Sequence, residues 1–389
     1  MTAPREPEFT IGIEEEYLLV DSQTMELVSD PPSSIMAECQ RLTPRQVSPE
    51  LLRSQIEVGT KVCASIGDAR EDLARLRGIV IDAARHEGLS PIAASTHPFG
   101  HWTEQKSSAV ERYRDLTAEM QAAARRLLIC GMHVHVGIDD DELRIDLMNQ
   151  MRYFVPHLLA MSTSSPFWEN LNTGLRCYRL TIFDALPRTG LPQNFDSHAE
   201  YQRHVDILVN AGLLEDATKI WWDIRPSARY PTLETRIFDV CTTLEDAVAL
   251  AALTMCLLRM LYRLRVKNQR WRIYNSMLLY ENRWRAMRYG TDESLLDLAR
   301  GQLVPFGELI EEMLMLTEQD AVALDCQAEV AHVREIIARG TSAHRQVGVY
   351  EQAVAGGAEH EEALRAVVKF LIDETAAGAQ QGRGDGGDE

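Results

Sequence analysis

Residues 10–21 read TIGIEEEYLLVD, and this run constrains the fold more than any other part of the chain. Side chains alternate along a β-strand, so Gly12, Glu14, Glu16 and Leu18 face one way and Ile11, Ile13, Glu15 and Tyr17 the other. Glu14 and Glu16 are then about 6.6 Å apart along one face. That spacing lets each carboxylate reach a different ion of a pair lying ~4 Å apart. Taken alone, the run also reads as a solvated edge face, because acidic surfaces are common.

Three further segments repeat this division. In CGMHVHVG (130–137), His133 and His135 share a face, Met132, Val134 and Val136 lie opposite, and Gly131 and Gly137 permit close approach. Such an HxH pair suits a metal or a phosphate, and equally a half-exposed surface. In YPTLETRIFDV (230–240), Glu234 and Arg236 share a face with Thr232 and Phe238, while Leu233 and Ile237 turn away. A carboxylate beside a guanidinium is most often a plain ion pair, but it also offers a metal ligand next to a donor for a transferring phosphoryl group. In SPELLRSQIEVGT (48–60), Gln55, Glu57 and Gly59 share a face, Ile56 and Val58 go to the core, and Glu50 precedes the strand.

Placed side by side, these segments gather at least four carboxylates in one concavity, which is costly unless cations occupy it. Oxygen ligands with one or two histidines and no cysteine favour Mg²⁺ or Mn²⁺ over structural zinc. A pocket this acidic accepts a polyanion such as ATP only when divalent ions bridge the two. The chain has no GxxxxGK[ST] loop, so the expected nucleotide site is one without a P-loop.

The remainder of the sequence narrows the class. With 58 acidic against 40 basic residues the formal charge is −18, which disfavours nucleic acid and anionic lipid as partners. No run approaches ~18 consecutive apolar residues, so no membrane span is expected. The opening MTAPREPEFT lacks the basic start and apolar stretch of a signal peptide. Seven scattered cysteines without a CxxC pair read as buried free thiols in a reducing, cytoplasmic compartment.

Strands are expected at Phe9–Val20, Gln55–Ala64, Pro91–Thr96, Leu128–Ile138, Leu175–Phe183 and Thr232–Val240. Helices are expected from Asp68 (with Glu71 completing a capping box) and near Asp141–Met161, Ser197–Ala211, Leu244–Lys267, Glu308–Leu316 and Gln319–Ala338. Early strands followed by a helical last third suit an α+β fold with an antiparallel sheet backed by helices. One domain over residues 1–374 is expected, followed by a disordered tail, 375–389, reading TAAGAQQGRGDGGDE.

At TIGIEEEYLLVD, GMHVHVG, SSPFW, PRTGLP, DIRPS, TLETRIFDV and ENRWRAMRYG the sequence resembles the YbdK-type carboxylate–amine ligases, relatives of glutamate–cysteine ligase in the glutamine synthetase-like superfamily. The resemblance spans about Phe9 to His344 and implies a curved antiparallel sheet forming a funnel with helices behind. By position it implies Glu14, Glu16, Glu57, His133 and Glu234 as metal ligands, and His133 also at the nucleotide phosphates, with His135 beside it. Arg236 matches the arginine that stabilises the transferring phosphoryl group. Glu50 falls near the amine substrate, and Arg225 and Arg188 are candidates for phosphate or substrate carboxylate. The implied reaction uses ATP with Mg²⁺ or Mn²⁺ to convert a carboxylate, typically the γ-carboxylate of glutamate, into an acyl phosphate that an amine then captures. Two alternatives remain: a phosphotransferase on the same fold acting on a guanidine or carboxylate, and a nucleotide-binding regulatory paralogue. A homodimer is the default assembly.

Overall fold

The computed structural model describes residues 5–108, 115 and 118–379. Seven strands form the main sheet: β1 (Ile11–Asp21), β2 (Val47–Pro49), β3 (Gln55–Gly59), β4 (Leu89–Ile92), β5 (Met132–Gly137), β6 (Ile224–Pro226) and β7 (Thr232–Thr235). Their order is β6-β7-β5-β1-β3-β2, and β4 also pairs with β1. Every pairing in this sheet is antiparallel. The long β1 is central: residues 14–18 pair with β3 along one edge, while residues 11–15 and then 18–21 pair with β5 and β4 along the other.

The two faces of β1 differ as its alternation requires. Ile11, Ile13 and Tyr17 are buried against the helical layer, and so is Glu15, which is fully buried. Helix α1 (Ile66–His86) supplies the partner. Its Arg77 donates to both Glu15 oxygens, at 2.6 and 2.9 Å, and to the carbonyls of Cys241 and Thr242, at 2.9 and 2.8 Å. One guanidinium thereby ties the central strand to the chain entering the long apolar helix Leu244–Val266. That helix alone, among the described residues, is long and apolar enough to cross a membrane, and 83% of its apolar window is buried inside the fold. It is the core helix behind the sheet.

Several element boundaries differ from those expected. Helix α1 begins at Ile66, because the Ser65 hydroxyl accepts the Asp68 N–H and caps it three residues earlier. The helix expected over Asp141–Met161 is two, Asp141–Met151 and Val155–Ser162, since Pro156 has no N–H to continue the ladder and begins a new helix instead. Leu175–Phe183 is not a strand. Residues 176 and 177 donate to the Met287 carbonyl, Tyr178 and Arg179 donate to Ser165, and the short helix α2 (Arg179–Phe183) follows. Strand β7 stops at Thr235, after which Arg236 N–H turns to the Asp223 carbonyl and Phe238 goes into the core rather than sharing the Glu234 face.

The helices expected at Glu308–Leu316 and Gln319–Ala338 are one continuous helix, Phe306–Ala323, followed by two short ones, Gln327–Ala331 and Val333–Arg339. The last helix, His360–Ala376, carries Thr375 into the interior, where its hydroxyl accepts the Ala93 N–H at 2.9 Å. The expected tail thus starts inside this helix, and residues 380–389 lie outside the described region. All seven cysteines are buried free thiols.

Replacing Arg77 with Ala leaves a buried, uncompensated carboxylate under the central strand. We expect a loss of about 3–5 kcal/mol in urea unfolding. The double replacement of Glu15 by Leu and Arg77 by Met should recover a large part of it.

Candidate functional site

The opposite face of β1 lines a cavity of about 760 Å³. Strand register decides what meets there. Glu16 lies opposite Glu57 on β3, and Glu14 opposite His133 on β5. His135 sits between Gly12 of β1 and Glu234 of β7, and Glu234 lies opposite Arg225 of β6. Glycines at 12, 59 and 131 keep the face open. A Cβ at Gly131 would come within 2.5 Å of the Arg179 guanidinium, so only glycine lets Arg179 reach the strand.

Glu16, Glu50 and Glu57 form one end. Each offers an oxygen, and the three lie within 4.8 Å of one another. Burial, then the neighbouring Glu50 charge, pushes Glu16 up to about 8. Burial and Glu50 likewise hold Glu57 well above the usual carboxylate range. The Gly131 N–H donates to Glu16 at 2.8 Å, and the Ser48 hydroxyl reaches Glu57 at 3.4 Å. Three carboxylates crowded this closely form an oxygen donor set for a hard divalent cation, and the residues present fit Mg²⁺ or Mn²⁺.

The centre and far end are differently charged. Burial pushes Glu14 up, but the hydrogen bond from His133 and the nearby His135 outweigh it and hold the carboxyl well below the usual range. Burial lowers His133 to about 4. The pair is then a Glu14 carboxylate accepting the Nδ1–H of a neutral His133 at 3.0 Å, a tautomer that leaves the Nε2 lone pair for a metal. His135 Nδ1 bonds the Thr232 hydroxyl at 3.0 Å. Glu234 takes both donors of Arg225, at 3.0 and 3.1 Å, and also Arg236. Burial opposes its charge, but Arg236 and Arg225 keep it well below the usual range.

Two buried nitrogens, His135 Nε2 and Arg236 Nε, have no hydrogen-bond partner among the described residues. The nearest carboxylate oxygen to His135 Nε2, on Glu14, is 3.5 Å away, beyond a good hydrogen bond. Unpaired buried donors of this kind mark where a ligand's acceptors belong.

Of the residues singled out from sequence, Glu14, Glu16, Glu50, Glu57, His133, His135, Arg225, Glu234 and Arg236 all line the cavity. Arg188 does not. Its guanidinium packs 5.4 Å from the Trp221 ring and donates to the Lys219 carbonyl at 3.0 Å, so it braces the wall from behind. Arg225 spends its remaining donor on the Thr218 and Ile220 carbonyls and so positions Glu234 rather than offering a free charge. Glu50 joins the two strand carboxylates instead of standing apart from them. Missed altogether were Arg179, which sits on the segment misread as a strand, and Trp221 and Tyr230, which carry no periodic signal.

A carboxyl whose folded pKa is raised costs the fold stability at every pH above its unfolded value. In a chelator, the protein should therefore lose stability as pH rises from about 5 to 8. Glu57→Gln should flatten that slope, raise Tm by about 2 °C at pH 8, and abolish the Tm gain from added Mg²⁺. Differential scanning fluorimetry reads all three.

The family model for glutamate–cysteine ligase family 2 matches residues 10–369. A relative from Rhodospirillum rubrum named "Putative glutamate--cysteine ligase 2" is 59% identical over 96% of this chain and 97% of its own length. One of the same name from Paracoccus denitrificans is 51% identical over 95% and 98%. Among solved structures, the Francisella tularensis glutamate–cysteine ligase in complex with AMP shares the fold at TM-score 0.68 and 14% identity, covering 96% of this chain and 90% of that one. A bifunctional glutathione synthetase from Pasteurella multocida gives 0.69 at 15% identity, over 94% and 52%. A family model matching residues 10–369, with relatives 51–59% identical over almost their whole length, makes the chain a member of glutamate–cysteine ligase family 2, the ATP-dependent carboxylate–amine ligases.

Proposed function

We propose that the cavity binds ATP with Mg²⁺ or Mn²⁺, activates the γ-carboxylate of glutamate as an acyl phosphate, and passes the acyl group to an amine. The observation that carries this reading is the grouping of Glu16, Glu50 and Glu57 within 4.8 Å, in the same cavity as the unpaired Arg236 Nε and His135 Nε2. Glu16, Glu50 and Glu57 would hold one cation. Glu14 and His133 would hold a second, with Glu234 contributing if it shares an oxygen with its arginines. Bound cations neutralise phosphate oxygens that these carboxylates would otherwise repel.

The chain's own groups then position the reaction. The free nitrogens of His135 and Arg236 receive phosphate oxygens. Arg236 faces the phosphoryl group in transit and offsets the charge spread over its oxygens, while Arg225 keeps Glu234 and through it Arg236 in place. The substrate carboxylate oxygen attacks the γ-phosphorus, the bond to ADP breaks, and the amine nitrogen then displaces inorganic phosphate from the acyl carbon. Strand-borne groups suit such a reaction because a paired sheet holds them rigidly. The seven buried thiols suit a reducing compartment, the cytoplasm.

Incubated with ATP, Mg²⁺, L-glutamate and a mixture of amines, the protein should release ADP and phosphate in an amine-dependent way and yield a γ-glutamyl amide by mass. Glu14→Gln should reduce ADP release to background with an unchanged circular dichroism spectrum, and full activity would remove Glu14 from the site. Arg236→Lys, which keeps the charge but loses the fork, should lower kcat by about 10²-fold. A stable phosphorylated product formed without any amine would point to a phosphotransferase instead.

A further inference from the structure

The cavity wall changes character along its length. On the His135 side it is polar: Tyr230 meets the His135 ring edge-on at 6.2 Å, with Arg229 and Lys61 alongside in the lining. Beyond Glu16 it is lined by Leu51, Ile129 and Phe183.

Contacts place these apolar groups at the carboxylate end. Leu51 follows Glu50, whose carboxylate accepts its N–H at 3.0 Å. The Ile129 carbonyl accepts from Gln55 at 2.7 Å, on β3 two residues beyond Glu57. The Phe183 ring lies 5.6 Å from the Arg179 guanidinium, which itself rests on Gly131 beside Glu16.

Such a surface contributes nothing to holding phosphates or metal. In the reaction above, the attacking carboxylate and the departing ADP stand on opposite sides of the γ-phosphorus. With the phosphates toward His135 and Arg236, the activated acyl group points toward Glu16. What lies farther along the same axis receives the incoming amine. The apolar wall beyond the three carboxylates has only the amine's substituent to contact.

We infer that this end selects a primary amine bearing an aliphatic or aromatic substituent rather than a small polar one. The inference rests on the ligase reading. In the transfer step the deprotonated amine nitrogen forms the bond to the acyl carbon, the C–O bond to phosphate breaks with its electron pair leaving on phosphate, and the surplus proton goes to water.

The test uses the intact protein with ATP, Mg²⁺ and L-glutamate. Hydroxylamine, which needs no pocket, reports acyl phosphate formation as a hydroxamate. Ethylamine, propylamine and butylamine share nearly the same basicity and differ only in apolar length, with ethanolamine as the polar control and benzylamine as the aromatic one. We expect kcat/KM for amide formation to rise roughly fourfold per methylene and benzylamine to exceed ethanolamine by more than tenfold. In Phe183→Ala, and in the milder Phe183→Leu, the butylamine-to-hydroxylamine ratio should fall severalfold. Hydroxamate formation with a flat or falling amine series overturns the inference and leaves the ligase reading standing. No hydroxamate at all, with ATP bound, overturns both.

Discussion

The structure depends on the two-faced central strand. On one side of β1, Glu15 is buried and neutralised by Arg77; on the other, one residue away in each direction, Glu14 and Glu16 face the cavity. The interior pair does more than cancel a charge. Arg77 also takes the carbonyls of Cys241 and Thr242, so the strand bearing the site and the start of the core helix are held by one side chain. A slip of one residue in β1 would bring Glu14 and Glu16 into the core and carry Glu15 out, and Arg77 could meet only one of the two. The register of the site is thereby locked from beneath.

Above the strand, the electrostatics are graded rather than uniformly acidic. At one end Glu16, Glu50 and Glu57 crowd together, and burial beside the Glu50 charge raises the proton affinity of Glu16 and Glu57. At the other, Glu234 is clamped by two arginines and stays ionised. Glu14 and His133 stand between. In the proposed reaction this gradient suits phosphoryl transfer from a triphosphate to a carboxylate, with the crowded oxygens toward the substrates and the guanidinium donors toward the group in transit. The chain's −18 charge would be no obstacle to it, because the groups proposed to meet the phosphates are local.

TIGIEEEYLLVD, GMHVHVG and TLET each carry their period-2 pattern within strands of four to eleven residues, so which carboxylates share a face is legible without a fold. Boundaries were less so. Leu175–Phe183 has the composition of a strand, yet its backbone groups are taken by Met287 and Ser165, partners distant in sequence. Asp68 looked like a cap because Glu71 follows it, while Ser65 offered the better-placed hydroxyl.

The sequence by itself determined the chemical identity of the site: which residues are acids, which alternate, and which glycines leave room among them. Those are properties of neighbouring residues, and local sterics decide them. Only the tertiary structure decided the grouping. Glu50 joins Glu16 and Glu57 because β2 delivers it beside the start of β3, Arg179 reaches the strand because Gly131 has no side chain, and Arg188 sits behind the wall with its guanidinium against Trp221. Each of these is a contact between segments far apart in the chain, set by packing and register that no local pattern encodes.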